Sequence, residues 1–248
     1  GRLGAAAGGV GSGRKVRVMF DLPTQSIGDE LVKLAAKTPG LGETIENLGN
    51  WRFDVFSFAQ QTSQRPLYVL AVALFQQYGF FANLGLSEER FRAYFTEIER
   101  GYRKENPYHN AIHGTDVAQT FHCFLASGGF GQSFPQVEVM AGLWAAAIHD
   151  YRHPGVNNAY LVNVNDPVAV TYNNRSVLEN MHAAEGLRLL DQDEFNFISD
   201  LSKEDQTTIR STVIDTVLAT DMKFHGEYVS KLKTLTSLNG IDPADREH

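Results

Sequence analysis

Two histidine-rich segments in the middle of the chain constrain its fold most strongly. The first carries His109 and His113, four residues apart, and the second carries His149 and His153 with the same spacing and Asp150 between them. Residues four apart share one face of a helix, so each segment would present its imidazoles together if it were helical. Two such segments facing each other would supply imidazole and carboxylate donors, the mixed set that zinc and other divalent ions favour. The spacing therefore predicts a His/Asp metal site.

The residues around the first segment predict a helix that carries its histidines. Pro107 suits the first turn of a helix, because its fixed φ fits there and its missing N–H would have been unpaired anyway. We therefore expect a helix that runs from Pro107, with His109 and His113 on one face and Asp116 three residues further on.

The second segment follows a strongly apolar stretch. Val139–Ile148 is apolar on all sides apart from one glycine, which predicts a buried helix over residues 136–150. We expect this helix to deliver His149 and Asp150 at its end and to be stopped by Pro154-Gly155.

Further helix signals occur along the chain, whereas strand alternation and internal repeats do not. Ser87 precedes two glutamates and predicts a helix N-terminus, Pro66 starts an apolar run, and Ser202-x-x-Asp205 is a capping-box pattern. Two more helices are expected, one from Ser176 and one over residues 226–238. The sequence predicts an all-α fold, a compact multi-helix bundle with a metal site between its helices.

Composition and charge limit the function. The net charge of −7 argues against a nucleic-acid partner, whose binding surface would be basic. The single cysteine, Cys123, excludes an internal disulfide and fits a reducing compartment. No apolar run reaches the roughly 18 residues that a transmembrane helix needs. We expect a soluble, intracellular protein, cytoplasmic by default.

Four stretches together resemble the class I 3′,5′-cyclic-nucleotide phosphodiesterases. They are Tyr-His-Asn-x-x-His-x-x-Asp-Val at 108–117, His-Asp-x-x-His-x-Gly at 149–155, Ser-Val-Leu-Glu-Asn-x-His at 176–182, and residues 217–225. One such histidine would more often be a structural residue at a helix end, but two spaced motifs in the family order favour the metal site.

We expect residues 1–13 to be a flexible Gly/Ala-rich lead-in and residues 14–248 to form a catalytic domain whose C-terminal part is absent.

The resemblance implies a role for each matching residue. His113, His149 and Asp150 would bind the tighter of two divalent ions, zinc, and Asp150 would bridge to a second ion, magnesium or manganese. His109 would be the proton donor, oriented by a carboxylate for which Glu185 is one candidate. The residues expected to surround the metals without binding them directly are His153, Glu179 and His182, and those expected to line the substrate pocket are Tyr108, Asp221 and Met222.

The implied activity is hydrolysis of cAMP, cGMP or both to the 5′-monophosphate, with regulation by upstream domains or partner proteins.

Two departures from the family pattern affect this expected activity. Arg152 stands where many relatives have Asp or Glu. The family's later metal-binding aspartate and its purine-binding glutamine and phenylalanine have no match before His248, since Asp242 and Asp245 do not fit that motif. A catalytically incomplete scaffold or interaction module is therefore the alternative. A metal phosphohydrolase of the HD type that acts on a noncyclic nucleotide is a third, which the Tyr-His-Asn motif disfavours.

Overall fold

A computed structural model describes residues 27–127 and 130–238 of the chain. Within those ranges the chain forms thirteen α-helices, three short 3₁₀ turns and no β-strand, which confirms the predicted all-α class. The predicted lead-in at residues 1–13 lies outside the described residues. The helices are α1 (Ile27–Lys37), α2 (Leu41–Glu46), α3 (Val55–Gln61), α4 (Pro66–Gln77), α5 (Phe80–Leu84), α6 (Glu88–Gly101), α7 (Ala111–Ala126), α8 (Gln136–Ile148), α9 (Asn158–Asn163), α10 (Pro167–Thr171), α11 (Val177–Arg188), α12 (Lys203–Leu218) and α13 (His225–Leu238).

Helix α8 is the centre of the core. Every residue of Val139–Ile148 is buried, as the all-round apolar pattern predicts. Helices α12 and α7 pack against it most extensively, and α4 and α11 complete its surroundings. Because α8 is enclosed on all sides, the residues that follow its last turn are held in a rigid frame.

A hydrogen-bonded chain fixes three core helices around the end of α8. The indole Nε1 of Trp144 donates to the Tyr94 hydroxyl at 2.9 Å, and that hydroxyl donates to the carbonyl of Gly186 at 3.0 Å. Gly186 also allows α11 to approach α8 closely, since a Cβ there would lie 2.8 Å from Cδ1 of Ile148. These contacts set the distance between α11 and the end of α8.

Helix starts follow the predicted signals at three positions. Ser87 and Ser202 cap α6 and α12 by accepting backbone N–H bonds, and Pro66 is the first residue of α4. The α4 terminus has a further partner that no local pattern indicates. The buried carboxylate of Glu99 accepts from the backbone N–H groups of Leu67 and Tyr68, at 3.0 and 3.1 Å, and so pairs donors that a helix start leaves open.

The expected helix start at Pro107 is wrong. Helix α7 begins at Ala111, and Asn110 is its N-cap in an extended conformation. The Asn110 side chain accepts from the backbone N–H groups of Ile112 and His113, which satisfies two donors of the first turn. His109 therefore precedes the helix instead of sharing a face with His113.

The second predicted helix ends earlier than expected. Helix α8 stops at Ile148 with His149 as its C-cap, and the chain then turns, with the N–H of His153 donating to the carbonyl of Asp150 at 3.1 Å. Arg152 takes a positive φ of 63° within this turn. His149 and His153 thus lie on a helix end and a turn, not on one helical face. No helix in the described part of the chain combines the length and apolarity that a membrane span requires.

A buried histidine on α7 gives the fold a pH dependence. His122 is 2% exposed, and the Tyr78 hydroxyl lies 3.0 Å from its Nδ1. Burial lowers the pKa of His122 to about 4, so the imidazole is neutral in the folded protein at neutral pH.

We predict that His122 makes the protein less stable as the pH falls from about 6.5 to about 4. In this window the unfolded chain binds a proton at His122 and the folded chain does not, which reduces the free energy of unfolding by up to about 3 kcal/mol. Urea unfolding at a series of pH values should show this loss relative to His122→Asn. His225→Asn, at an exposed position on α13, is the control for removing a histidine. An equal stability difference between wild type and His122→Asn at pH 7 and pH 4 would refute the prediction.

Candidate metal centre

The centre forms where the start of α7 meets the end of α8. His113 lies in the first turn of α7, where the Asn110 cap fixes the backbone. His149 and Asp150 directly follow the last residue of the buried helix α8. Helix ends held in this way give side chains little freedom, which a metal site requires.

Three donor atoms converge at this meeting point. Nε2 of His113 and Nε2 of His149 each lie 3.2 Å from Oδ2 of Asp150. The two nitrogens are also 3.2 Å apart. A tetrahedral ion with bonds of about 2.0–2.1 Å has ligand atoms roughly 3.3 Å from one another. The triangle therefore fits a zinc-sized ion, and its two imidazoles and one carboxylate are donors that such an ion accepts.

The hydrogen bonds around His149 and Asp150 prepare them for a cation. Nδ1 of His149 lies 2.9 Å from the carbonyl of Ala146, so this nitrogen carries a proton and Nε2 faces Asp150. Burial opposes ionisation of Asp150, but hydrogen bonds from His113 and His149 hold the pKa of its carboxyl well below the usual range. Burial likewise opposes charge on His149, yet the Asp150 carboxylate raises the pKa of that imidazole. The centre is an anionic carboxylate enclosed by imidazoles.

A second group of possible ligands shares Asp150. Nitrogens of His109 and His153 and an oxygen of Asp150 all lie within 4.8 Å of one another. The rings of His109 and His153 stack with their centroids 3.8 Å apart and 8° between their planes. Nε2 of His109 lies 3.8 Å from Oδ2 of Asp150, and the His109 side chain is 38% exposed. His109 is therefore the histidine of the cluster that a ligand can reach from solvent.

The surrounding histidines are held as neutral rings. Nδ1 of His182 lies 2.6 Å from the carbonyl of Tyr151, and its Nε2 lies 3.6 Å from Oδ1 of Asp150. The backbone N–H of Gly155 donates to Nδ1 of His153 at 3.0 Å, which leaves the proton of the neutral ring on Nε2. Burial lowers the pKa of both histidines to about 4. His182 and His153 thus enclose Asp150 without adding charge at neutral pH.

Glu179 lies on α11, three residues before His182, and is oriented by an asparagine. Nδ2 of Asn158 donates to both carboxylate oxygens of Glu179, at 3.0 and 3.3 Å, while Oδ1 of Asn158 accepts from the N–H of Leu178 at 2.8 Å. Burial raises the pKa of Glu179, and the charge of Asp221 acts in the same direction. Glu179 belongs to neither group of possible ligands in the described part of the chain.

The three predicted pocket residues have different surroundings. The Tyr108 ring lies 4.5 Å from that of His113 and 5.0 Å from that of His109, so it borders the centre. Asp221 is buried and pairs with Nζ of Lys223 at 2.9 Å. Met222 is 73% exposed. The role of these residues in binding a substrate stays a prediction.

Glu185, the candidate partner for His109, is engaged elsewhere. Its carboxylate pairs with Arg152 at 2.5 Å and with Arg188. The carboxylate recorded beside His109 is that of Asp150. The Arg152 side chain is therefore directed toward Glu185 on α11.

Sequence reasoning missed two residues that hold the centre together. Nδ2 of Asn106 donates to the carbonyls of His109 and His153, at 3.0 and 2.9 Å, and so ties both histidine segments to one side chain. The Tyr102 hydroxyl donates to the carbonyl of Ala147 at 3.0 Å, at the last turn of α8. Asn106 and Tyr102 lie just before the first histidine motif, and this position was the one signal in the sequence. Their partners His153 and Ala147 are more than 40 residues away, and no local pattern indicates such a contact.

Known proteins share this sequence and fold. A family model described as 3′5′-cyclic nucleotide phosphodiesterase matches residues 108–248, more than half of the chain. The human dual specificity calcium/calmodulin-dependent 3′,5′-cyclic nucleotide phosphodiesterase 1B is 38% identical over 200 residues, which are 80% of this chain and 37% of that protein. The corresponding Drosophila melanogaster enzyme, named phosphodiesterase 1, is 37% identical over 206 residues, or 83% of this chain and 25% of that one.

A solved structure has the same architecture. The phosphodiesterase domain of the RhoPDE fusion protein from the choanoflagellate Salpingoeca rosetta matches with a TM-score of 0.73 at 30% identity, covering 79% of this chain and 61% of that one. The chain spans well under half of the length of the curated relatives described above. With more than half of its residues matched by the family model, this chain belongs to the 3′,5′-cyclic nucleotide phosphodiesterase family.

Proposed function

We propose that this chain supplies the metal-binding part of a catalytic centre that hydrolyses the 3′-phosphoester bond of cAMP, cGMP or both to the 5′-monophosphate. The observation that carries the proposal is the triangle of donor atoms from His113, His149 and Asp150, with His109 accessible beside it. The family supports the cyclic nucleotide as the substrate class. The choice between cAMP and cGMP does not follow from the described residues.

We assign His113, His149 and Asp150 as the residues that would hold zinc, and Asp150 would also contribute to a second site for magnesium or manganese. Two divalent ions supply charge neutralisation of the phosphate and lower the pKa of water, so that hydroxide is available at neutral pH. The chain's own contribution is to fix the ligands. Nδ1 of His149 donates to Ala146, which aims Nε2 into the centre, and the Asn110 cap fixes the turn that carries His113.

His109 is the residue we assign as the proton donor. Its Nε2 faces Asp150 from 3.8 Å, and its partial exposure leaves room for the leaving O3′ of a cyclic nucleotide. Stacking on His153 and the bond from Asn106 to its backbone carbonyl hold the ring in place. Burial lowers the pKa of His109, and the negative charge of Asp150 opposes this shift, in the role first considered for Glu185.

The remaining residues around the centre are proposed to orient water and to bind the nucleotide. His153 can donate from Nε2 to water or phosphate oxygens, because its Nδ1 accepts from Gly155. Glu179, held by Asn158, can accept hydrogen bonds from water in the centre. Tyr108 and, further away, Asp221 and Met222 are proposed to line the pocket for the nucleotide. Regulation by a partner protein is also a proposal for this chain, supported by the calcium/calmodulin dependence in the names of its relatives.

The alternative function is a scaffold or interaction module without turnover. The observation in its favour is that the best-formed ligand group has three protein donors in the described part of the chain. Three donors plus water are common in catalytic zinc sites, which keeps the hydrolase proposal ahead.

We predict that His109→Ala lowers the turnover of cAMP and cGMP by about 10²–10⁴-fold, because a lost general acid has an effect of that size. Hydrolysis would be measured with added zinc and magnesium, in this chain and in any longer natural form. His225→Ala, at an exposed histidine on α13, is the matched control and should keep wild-type turnover. An active enzyme whose turnover His109→Ala leaves unchanged would remove His109 from the mechanism. A longer form that binds metal and hydrolyses neither nucleotide would favour the scaffold.

We also predict that Asp150→Ala weakens zinc binding by more than about 10²-fold, beyond the range usual for residues that only surround a metal. The substitution removes the sole charged donor of the triangle. Zinc affinity would be measured by competition with a chelator of known affinity. Asp166→Ala, at the cap of α10, provides the comparison for loss of an aspartate away from the centre. Equal zinc affinity in wild type and Asp150→Ala would contradict the ligand assignment.

A further inference from the structure

A group of arginines outside the metal centre has no role in the proposed hydrolysis. Arg152 is the sole charged residue among the described non-glycine residues with positive φ, and its side chain leaves the histidine turn toward α11. There it meets Arg188, and both guanidinium groups pair with the carboxylate of Glu185. The departure at Arg152 is therefore part of a separate cluster.

Glu185 orients the two arginines without using up their capacity to bind. Oε2 of Glu185 accepts from Arg152 and Oε1 accepts from Arg188, one contact each. A guanidinium has five N–H donors in a rigid plane, so most donors of both arginines remain available. The Glu185 side chain is 19% exposed, whereas those of Arg152 and Arg188 are 56% and 63% exposed. The carboxylate is covered, and the cations face solvent.

Arg152 and Arg188 line a cavity of about 610 Å³, and a third arginine, Arg103, lines it too. The backbone carbonyl of Arg103 accepts from the N–H of Asn106, but its guanidinium forms no hydrogen bond or ion pair with any residue in the described ranges. Three arginines against one glutamate leave two net positive charges in this cavity, in a protein whose net charge is −7. A local excess of positive charge attracts an anion even though the protein as a whole is negatively charged.

The rest of the cavity wall is suited to an organic group. Val168 and Tyr172 come from α10 and its C-cap, and Met181 comes from the same face of α11 as Glu185 and Arg188. His182, one residue further along α11, faces Asp150 instead. The cavity and the metal centre are therefore served by different faces of α11 and have no lining residue in common.

We propose that this cavity, which we call the arginine cavity, binds a nucleoside 5′-monophosphate. Arg103, Arg152 and Arg188 hold the phosphate, because planar guanidinium groups match its oxygens and two net positive charges match its charge. Met181, Val168 and Tyr172 contact the base and sugar. A cavity of 610 Å³ lies within the range of small-molecule sites. The site does not depend on the proposed hydrolysis, since none of its residues belongs to the metal centre.

The test is binding of 5′-AMP in EDTA, a condition that removes divalent ions and with them the metal centre as a competing phosphate site. Calorimetry would compare wild type with Arg103→Gln, which loses an exposed guanidinium that is unpaired within residues 27–127 and 130–238 and should leave the fold intact. Arg210→Gln, at an exposed arginine on α12, is the matched control. We expect Arg103→Gln to weaken binding about tenfold or more, the usual effect of losing a charge-assisted hydrogen bond. Arg210→Gln should bind as wild type does.

Two further probes separate the two halves of the ligand. Adenosine should bind far more weakly than 5′-AMP if the arginines hold the phosphate, and inorganic phosphate should bind more weakly if the apolar wall holds the base and sugar. Absence of 5′-AMP binding in EDTA, or equal binding by Arg103→Gln and Arg210→Gln, would overturn the proposal. Equal affinity for adenosine and 5′-AMP would overturn it as well. These outcomes are independent of whether the metal-loaded protein hydrolyses cyclic nucleotides.

Discussion

The structure depends on a carboxylate, Asp150, held at the end of a buried helix among four imidazoles. Oxygens of this carboxylate lie 3.2–3.8 Å from nitrogens of His113, His149, His182 and His109. A buried charge is costly unless it is paired, so Asp150 requires these partners and they in turn are positioned around it. The folded protein can tolerate this arrangement because the hydrogen bonds from the imidazoles stabilise the anion, and because a divalent ion would complete the pairing.

The core of the domain serves this arrangement by controlling where helices end. Helix α8 is apolar on every side and has no freedom to shift, so His149 and Asp150 emerge at a fixed place. Small residues allow the neighbouring elements to come near. A Cβ at Gly114 would lie 3.0 Å from the Tyr102 hydroxyl, which itself bonds to Ala147 in the last turn of α8. Asn106 adds the last connection, because it joins the backbones of both histidine segments.

Sequence reasoning predicted what depends on local signals. The apolar stretch before His149 indicated a buried helix, and Ser87 and Ser202 marked helix starts that the structure confirms. It misplaced the start of α7 because Pro107 and Asn110 both favour a helix start. Asn110 prevails since its side chain satisfies two N–H groups, whereas proline only avoids leaving one unpaired.

Contacts between residues far apart in the chain could not be predicted. Glu99 pairs with the start of α4, and Glu185 pairs with Arg152 instead of His109, the proposed proton donor. In both cases a carboxylate has several possible partners in the sequence, and tertiary packing selects one. The roles proposed for the individual histidines and for Asp150 could be predicted only because the motifs resemble a known family. Their spacing alone indicated a His/Asp site and gave no role to any single histidine.

The most direct test of the account is X-ray absorption spectroscopy of the zinc-loaded protein, compared with the same measurement on His113→Ala. We predict two imidazole nitrogens and the remaining ligands from oxygen, at about 2.0–2.1 Å, with one imidazole lost in the variant. A spectrum that His113→Ala leaves unchanged, or one that contains a sulfur ligand from Cys123, would show that the ion binds elsewhere. The central claim, that His113, His149 and Asp150 form one metal centre, would then be wrong.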